Sequence, residues 1–189
     1  EPSSGASGGS TPSESSGIES WASAPDDPYI VIDLSGGPSA TSYPVSTLAG
    51  VPEGGWTDEY KTTKLVLRRI PAGTFMMGAH PYDTTQAPNE TRHHVTITKP
   101  FFIGVFQVTQ KQWERVTGNW TGYFNNPSYR DTRPMDFVDY SSLRGNAAGA
   151  GLPSDNNVDQ GSFLAILREK TGLTIDLPTE AQWEYACRA

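Results

Sequence analysis

The sequence predicts a mixed α+β fold of short antiparallel strands and a few capped helices. Nineteen Gly and fifteen Pro in 189 residues favour frequent turns, and therefore short elements rather than a helical bundle. Residues 109–112 and 179–182 both carry the capping-box pattern that marks a helix start. Aromatic residues make up 11% of the chain, so large rings supply the apolar core that a modest aliphatic content does not.

The first 28 residues are predicted to form a flexible tether, because they are rich in Ser, Gly and Pro and poor in core-forming side chains. Residues 29–64 follow as an extension with one strong strand at 29–34, which is β-branched and ends at a Gly-Gly-Pro breaker. That strand pairs either with its own domain or with a neighbouring molecule. The first is favoured because sheets cover their edges internally. Trp56 and Tyr60 are expected to hold the rest of the extension as an ordered loop.

Apolar patterning predicts two pairs of strands in the next part of the chain. Residues 65–70 and 74–78 have the layout of a hairpin with a short Gly-containing loop. Residues 94–98 and the apolar run 101–106 are predicted to be a second pair of core strands. The polar segment between the two pairs is expected to be a loop.

Three helices are predicted from caps and apolar spacing. The Thr109 capping box opens a helix that Gly118 ends. A second helix is expected over residues 159–170, ended by Gly172 and followed by an extended segment. The third helix begins at Thr179.

Three segments, in chain order, resemble the formylglycine-generating enzymes, also called sulfatase-modifying factors. Residues 70–78, 101–109 and 177–186 are similar to the family patterns PxGxFxMG, F.I...EVT..qW and RLPTEAEWEYA, respectively. The resemblance covers residues 65–189 and corresponds to the N-terminal portion of the family domain. It implies an irregular, aromatic-rich, C-type lectin-like fold of the sulfatase-modifying-factor type.

The resemblance implies oxidase chemistry for the family but carries no site residue over to this sequence. Family enzymes oxidise a sulfatase cysteine to formylglycine with a copper ion held by two cysteines that lie beyond the third pattern. The sequence stops at Ala189, so no catalytic, cofactor-binding or metal-binding residue is assigned within it. Copper and calcium are expected only where the C-terminal half of the domain is present. Two departures, Gln107 for Glu and Asp176 for Arg, leave the predicted fold unchanged.

Cys187 is predicted to be a small buried hydrophobe rather than a nucleophile or a copper ligand. It shares a helical stripe with Trp183, whereas thiolate chemistry needs exposure and a lowered pKa. His93 and His94 are adjacent on a predicted strand, so they point to opposite faces and are disfavoured as ligands of one metal ion. His80 has no partner in the sequence.

Two loops leave alternatives open. Residues 155–161 resemble the first half of a calcium loop, but their Gly comes one place late and no Glu closes the loop. An Asx-rich turn that caps the next helix is therefore preferred. Four aromatic residues near Asn amides would suit binding of a carbohydrate face. Rings that fill the apolar core would explain the same pattern, and this interpretation is preferred. These four residues are Trp120, Tyr123, Phe124 and Tyr129.

Charge and hydropathy narrow the classes of partner. The formal net charge of −7 disfavours nucleic acids and anionic lipid surfaces, which both attract a positive stripe. No segment has the ~20 apolar residues that a membrane span needs. The Ser/Gly-rich start without Met predicts an extracytoplasmic product after signal removal, either secreted or held at the surface by a lipid-anchored tether.

These observations predict a non-catalytic surface or secreted module that binds a protein partner or assembles with copies of itself, through the 29–34 strand. One alternative is part of a true formylglycine-generating, sulfatase-activating oxidase whose catalytic C-terminal half is missing or lies in another chain, so the sequence does not decide whether the protein is an enzyme. A second alternative is a lectin-like carbohydrate binder that uses residues 120–129.

Overall fold

A computed structural model of the chain describes residues 27–79, 82, 90–120, 122–145 and 157–188. The strands are β1 (Tyr29–Asp33), β2 (Val45–Leu48), β3 (Lys64–Ile70), β4 (Gly73–Met77), β5 (His93–Ile97) and β6 (Phe101–Gly104). The helices are α1 (Glu59–Thr62), α2 (Gln110–Thr117), α3 (Tyr140–Arg144), α4 (Phe163–Thr171) and α5 (Glu180–Arg188). The predicted α+β class is confirmed. Residues 1–26 of the predicted tether lie outside the described residues.

Strand β1 lies in the middle of the main sheet. The sheet has the order β2-β1-β3-β6, and all neighbouring strands are antiparallel. Val31 lies opposite Ser46 on one side and opposite Val66 on the other. The predicted pairing of this strand within its own domain is therefore confirmed. The predicted association of a partner through residues 29–34 needs correction, because β2 and β3 already occupy both edges of β1.

The remaining strands pair differently from the prediction. Strand β3 pairs with β6, which places Arg69 opposite Phe102. Strand β4 pairs with β5 in a separate two-stranded sheet, which places Phe75 opposite Val95. The predicted hairpin of β3 with β4 and the predicted pair of β5 with β6 are both wrong. The physical reason is that β1 and β6 take the two edges of β3 and leave none for β4.

Side chains on one face of the main sheet build the larger core. Ile30, Ile32 and Leu65 are buried there with side chains of α2 and α4. Trp113 of α2 and Phe163 of α4 stack nearly parallel, with ring centroids 4.6 Å apart. These stacked rings join the two helices over the sheet.

A smaller apolar cluster covers the opposite face of the sheet. It contains Val31, Tyr60 and Val66. The ring of Trp56 lies edge-on to Tyr29 and to Tyr60, at centroid distances of 5.1 and 4.9 Å. The predicted role of Trp56 and Tyr60 is confirmed. The same segment also contains β2 and α1, which its irregular pattern did not predict.

The capping signals located two helix starts correctly. The hydroxyl of Thr109 accepts a hydrogen bond from the amide of Gln112, whose side chain accepts one from the amide of Thr109. Thr179 and Gln182 form the same reciprocal bonds at the start of α5. Gly118 ends α2 in the left-handed conformation, as predicted.

Helix α4 begins later than the predicted start at residue 159. Its N-cap is Ser162, whose hydroxyl accepts a hydrogen bond from the amide of Ala165 at 3.3 Å. The chain turns before this cap, and Gly161 has a φ of 85°, a conformation that glycine adopts without steric cost. Gly172 ends the helix, as predicted.

Gln112 joins α2 to the segment that leads into β3. Its side chain is 2% exposed, and its Nε2 donates to the carbonyls of Tyr60 and Lys64 at 3.2 and 2.6 Å. Its Oε1 accepts from the amide of Thr109 at 2.8 Å. All three bonds go to backbone groups, so loss of the amide would leave those groups without partners.

Asp176 fixes the segment between α4 and α5. Its Oδ2 lies 2.9 Å from Nη2 of Arg144 and 3.0 Å from Nη2 of Arg168. Arg144 is fully buried and donates to the hydroxyl of Tyr140 at 2.7 Å. That hydrogen bond, followed by the charge of Asp176, raises the pKa of Arg144 against the effect of burial. The Asp176 carboxylate is therefore a counterion of the buried guanidinium.

Replacing the two capping-box glutamines separates capping from tertiary bonding. Gln112→Leu should lower the free energy of unfolding by about 2–4 kcal/mol, because buried backbone groups lose their partners. Gln182→Leu removes a cap but no buried tertiary bond, so its cost should be about 1 kcal/mol or less. Urea unfolding followed by circular dichroism measures both values. Equal costs for the two variants would show that Gln112 acts only as a cap.

Asp176→Asn tests the counterion of the buried arginine. The change removes a carboxylate that contacts the buried Arg144 guanidinium, so we expect a loss of about 2–4 kcal/mol in the free energy of unfolding. Asp58→Asn is the matched control, because that side chain is 79% exposed and lies 4.0 Å from Lys61. Its cost should stay below about 1 kcal/mol. A loss no larger for Asp176→Asn than for Asp58→Asn, measured by denaturant unfolding, would contradict the role of Asp176.

Candidate functional site

The main sheet ends at β6, and no strand among the described residues pairs with its outer edge. In an antiparallel pair, residues alternate between those that bond across the pair and those whose backbone groups point away. The amide of Val105 donates to the carbonyl of Val66 at 3.0 Å, so Ile103, two residues earlier, also faces β3. The N–H groups of Phe102 and Gly104 therefore point toward the open edge.

One groove runs along β6 on the face of the larger core, and we call it groove A. Its volume is about 430 Å³, and the segment between α4 and α5 forms its far wall. Asp176, held by the two arginines, positions that wall. The lining is mostly apolar and consists of Ile30, Leu67, Phe101, Phe102, Ile103, Gly104, Leu173, Thr174, Ile175, Asp176, Leu177, Pro178 and Gln182.

A second groove, groove B, lies along β6 on the opposite face of the sheet. Its volume is about 300 Å³, and α5 forms its far wall. Arg68 is an exposed cation in this groove. The lining residues are Tyr29, Trp56, Arg68, Ile70, Ile103, Gly104, Val105, Trp183, Ala186 and Cys187.

The two grooves and the free edge form one site, which we call the open edge. Successive residues of an added strand point to opposite faces of the sheet, so their side chains would enter groove A and groove B in turn. Gly104 is common to both grooves and lacks room for a side chain. A Cβ atom there would lie 2.7 Å from the carbonyl oxygen of Phe106. The glycine therefore allows the chain to bend where β6 ends.

The open edge was not predicted from the sequence, which indicated only that residues 101–106 form a core strand. The available signal was Gly104 within an apolar run, since an isolated glycine in a strand often marks a bulge, a bend or the close approach of another backbone. The exposed position of Arg68 in groove B depends on the pairing of β3 with β6, which local patterns do not determine.

The predicted burial of Cys187 is wrong. Cys187 is exposed, and Trp183 in the same helical stripe is 58% exposed. Helix α5 packs against β4 and β5 with another face instead. The ring of Tyr185 lies 5.1 Å from that of Phe75, and Glu184 accepts a hydrogen bond from the amide of Gly78 at 2.9 Å. These contacts turn the stripe of Cys187 toward groove B.

The histidines do not form a metal site in the described part of the chain. His93 and His94 are both exposed, and Nδ1 of His93 lies 2.8 Å from the carbonyl oxygen of Thr91. Within residues 27–79, 82, 90–120, 122–145 and 157–188, no three His, Cys, Asp or Glu side chains are grouped closely enough to bind a metal ion. His80 lies outside these ranges.

The predicted Asx-rich turn at residues 155–161 is only partly described, since Asp155 and Asn156 lie outside the described residues. The amide of Asp159 donates to the carbonyl of Arg144 at 2.8 Å, and the carbonyl of Asp159 accepts from the amide of Ser162 at 3.1 Å. A turn before α4 is therefore present. Its predicted capping by an Asx residue is corrected, because Ser162 is the N-cap.

The aromatic loop does not plug the core as predicted. Tyr123, Phe124 and Tyr129 are 73%, 56% and 61% exposed, and Trp120 is half-buried. Met135 and Val138 of the following segment pack against the larger core instead. Aliphatic side chains fill the interior, and the rings of Tyr123, Phe124 and Tyr129 stay on the surface.

No helix in the part of the chain that the structure describes has both the length and the apolar character for crossing a bilayer.

Comparison with known proteins identifies the family of the chain. A family model described as the sulfatase-modifying factor enzyme 1-like domain matches residues 57–189. The match begins within the segment that we predicted as an extension, and the boundary at residues 64 and 65 stays a prediction. A search of curated proteins finds no match.

A solved structure, PvdO from Pseudomonas aeruginosa, is similar to the chain with 27% sequence identity and a TM-score of 0.47. The match covers 65% of this chain and 47% of that one, so the chain spans about half the length of PvdO. The family model matches well over half of the 189 residues, and the chain belongs to the family of sulfatase-modifying factor enzyme 1-like domains.

Proposed function

We propose that the chain is a non-catalytic, protein-binding portion of a sulfatase-modifying-factor-like domain, and that the open edge binds an extended segment of a partner polypeptide. The observation that carries the proposal is the outer edge of β6, with which no strand of the described residues pairs, together with the groove on each face of β6. Addition of a strand to an exposed sheet edge is a general mode of peptide recognition.

Backbone hydrogen bonds would supply affinity in this mode. The outward-pointing groups of Phe102 and Gly104 are the donors and acceptors available to the added strand. Each bond contributes about 0.5–1.5 kcal/mol to a typical protein interaction. Two residues of this kind, spaced two apart, match the repeat of an antiparallel ladder.

Side chains would supply specificity. Groove A offers apolar walls from Leu67, Phe102 and Leu177, so it suits an apolar side chain of the partner. Groove B combines the exposed ring of Trp183 with the cation of Arg68. A partner strand with apolar residues at alternate positions and a carboxylate facing Arg68 fits both grooves.

We further propose that the protein acts outside the cytoplasm, as a secreted or surface-held module. Support for this comes from the Ser/Gly-rich composition of residues 1–17, which is typical of a flexible tether. The net charge of −7 supports a protein partner over nucleic acid or anionic lipid.

The family match favours a second candidate, in which the chain is part of a formylglycine-generating oxidase. The resemblance implies a copper ion held by two thiolates. The sequence holds a single cysteine, Cys187, and the described residues group no three metal-ligating side chains. These residues do not fit a copper site by themselves, so we derive no catalytic step from them.

A synthetic strand peptide tests binding at the open edge. The peptide has valine at alternate positions, threonine between them and one central glutamate. A fluorophore at the N-terminus of the peptide reports binding through fluorescence anisotropy. We expect saturable binding. N-methylation of two peptide amides on the side that faces β6 should weaken it at least about tenfold, because backbone donors are lost.

Arg68→Ala provides the matched control for the electrostatic contact. It should weaken binding of the glutamate peptide about three- to tenfold and leave a glutamine analogue nearly unaffected. Equal binding of the methylated and unmethylated peptides would contradict strand addition. Formation of a dimer that excludes the peptide would assign the open edge to a second copy of the chain and overturn the proposed partner.

The enzyme candidate has a separate test. The 189-residue chain is incubated with copper, oxygen and a peptide that carries a sulfatase cysteine motif, and mass spectrometry follows conversion of that cysteine to the aldehyde. We expect no conversion above the copper-only control. Conversion by the chain alone would contradict the non-catalytic function.

A further inference from the structure

Four exposed aromatic side chains lie in the segment between α2 and α3, and none of them lines groove A or groove B. Tyr123, Phe124 and Tyr129 are 73%, 56% and 61% exposed, and Phe137 is 81% exposed. The rings of Tyr123 and Phe124 meet edge-on with centroids 5.1 Å apart. We call these four side chains the aromatic surface. Large apolar side chains grouped on a surface commonly mark a binding site.

The backbone beneath the aromatic surface is fixed from the protein interior. Oδ2 of Asp136 accepts hydrogen bonds from the amides of Tyr123 and Phe124 at 3.1 and 3.2 Å. Nε2 of Gln110, a fully buried residue of α2, donates to Oδ1 of Asp136 and to the carbonyl of Phe124, both at 3.0 Å. The loop is thus held in place before any ligand binds, which lowers the entropic cost of binding.

Phe137 is held in a conformation that a bulky residue rarely adopts. Its φ is 56°, in the left-handed region, and it follows Asp136 directly in the chain. Its side chain gains little from packing, since most of its surface faces solvent. Backbone strain without a packing benefit is typical of residues kept for binding.

An open cleft of about 590 Å³ lies beside the aromatic surface. Its lining consists of Trp120, Asn125, Pro127, Arg130 and Asp131. The guanidinium of Arg130 lies 5.0 Å from the centroid of the Trp120 ring, and its Nη2 is 2.8 Å from a carboxylate oxygen of Glu114. Asn125 and Asp131 are exposed in this cleft.

The exposed apolar side chains of this region differ in type from those that pack against the core. Between residues 119 and 138, the aliphatic Met135 and Val138 pack against the core, whereas the exposed large apolar side chains are all aromatic. The C–H face of a sugar ring stacks on aromatic rings, and its hydroxyls need amide and carboxylate partners. Asn125 and Asp131 provide such partners.

We propose that the aromatic surface and its cleft bind a neutral carbohydrate chain. The cleft volume lies within the range of about 300–1,000 Å³ for small-molecule sites. Acidic sugars are disfavoured because the Arg130 guanidinium is already paired with the carboxylates of Glu114 and Asp131, and the chain carries a net charge of −7. This site is separate from the open edge and does not depend on strand binding there.

Saturation-transfer NMR with neutral oligosaccharides tests the proposal. The probes are six-residue oligomers of glucose in both linkages, of mannose and of N-acetylglucosamine, and an oligogalacturonate serves as the acidic comparison. We expect transfer to at least one neutral oligomer and weaker transfer to the acidic one. The double variant Tyr123→Ala with Tyr129→Ala should weaken binding at least about tenfold.

Two further variants make the result specific. Phe137→Gly suits the left-handed backbone, so the protein should stay folded by circular dichroism while sugar binding weakens. Trp183→Ala removes an exposed ring of groove B. It should change the affinity for the sugar by no more than about twofold, because groove B shares no residue with the aromatic surface. Absence of transfer from every neutral oligomer, or an equal loss in Trp183→Ala, would overturn the proposal.

Discussion

The pairing of β1 with β3 is the interaction on which the rest of the structure depends. Val31 lies opposite Val66 in this pair. Side chains on one face of the two strands enter the larger core, and side chains on the other face enter the smaller cluster. Because β1 occupies one edge of β3, the only other edge goes to β6. Strand β4 is then excluded from the main sheet and pairs with β5. The position of β6 at the end of the sheet follows from this order.

Two local interactions position the segments that form the walls of groove A and groove B. The Asp176 carboxylate holds the segment after α4 against two arginines, and the Thr179 capping box starts α5 directly after it. Contact of Tyr185 with Phe75 then orients α5 so that its exposed stripe faces groove B. The chemistry of this site is that of backbone hydrogen bonding and apolar burial, which suits binding of a polypeptide strand.

The sequence predicted what local chemistry determines and failed where distant segments compete. Both capping boxes were predicted correctly, since each pattern, at residues 109–112 and at residues 179–182, is contained in four consecutive residues. Strand partners were wrong because the choice between β4 and β6 for β3 depends on β1, which lies far away in the sequence. The exposure of Cys187 was missed for a similar reason, since a helical stripe does not reveal which surface covers it.

Amide hydrogen exchange followed by NMR tests the open edge most directly, because it reports on single backbone groups. In the free chain, the amides of Phe102 and Gly104 should exchange rapidly, whereas those of Ile103 and Val105 should be protected by their bonds to β3. Addition of the strand peptide should then slow exchange at Phe102 and Gly104. Protection of these two amides in the free chain, or unchanged rapid exchange with the peptide bound, would contradict the account.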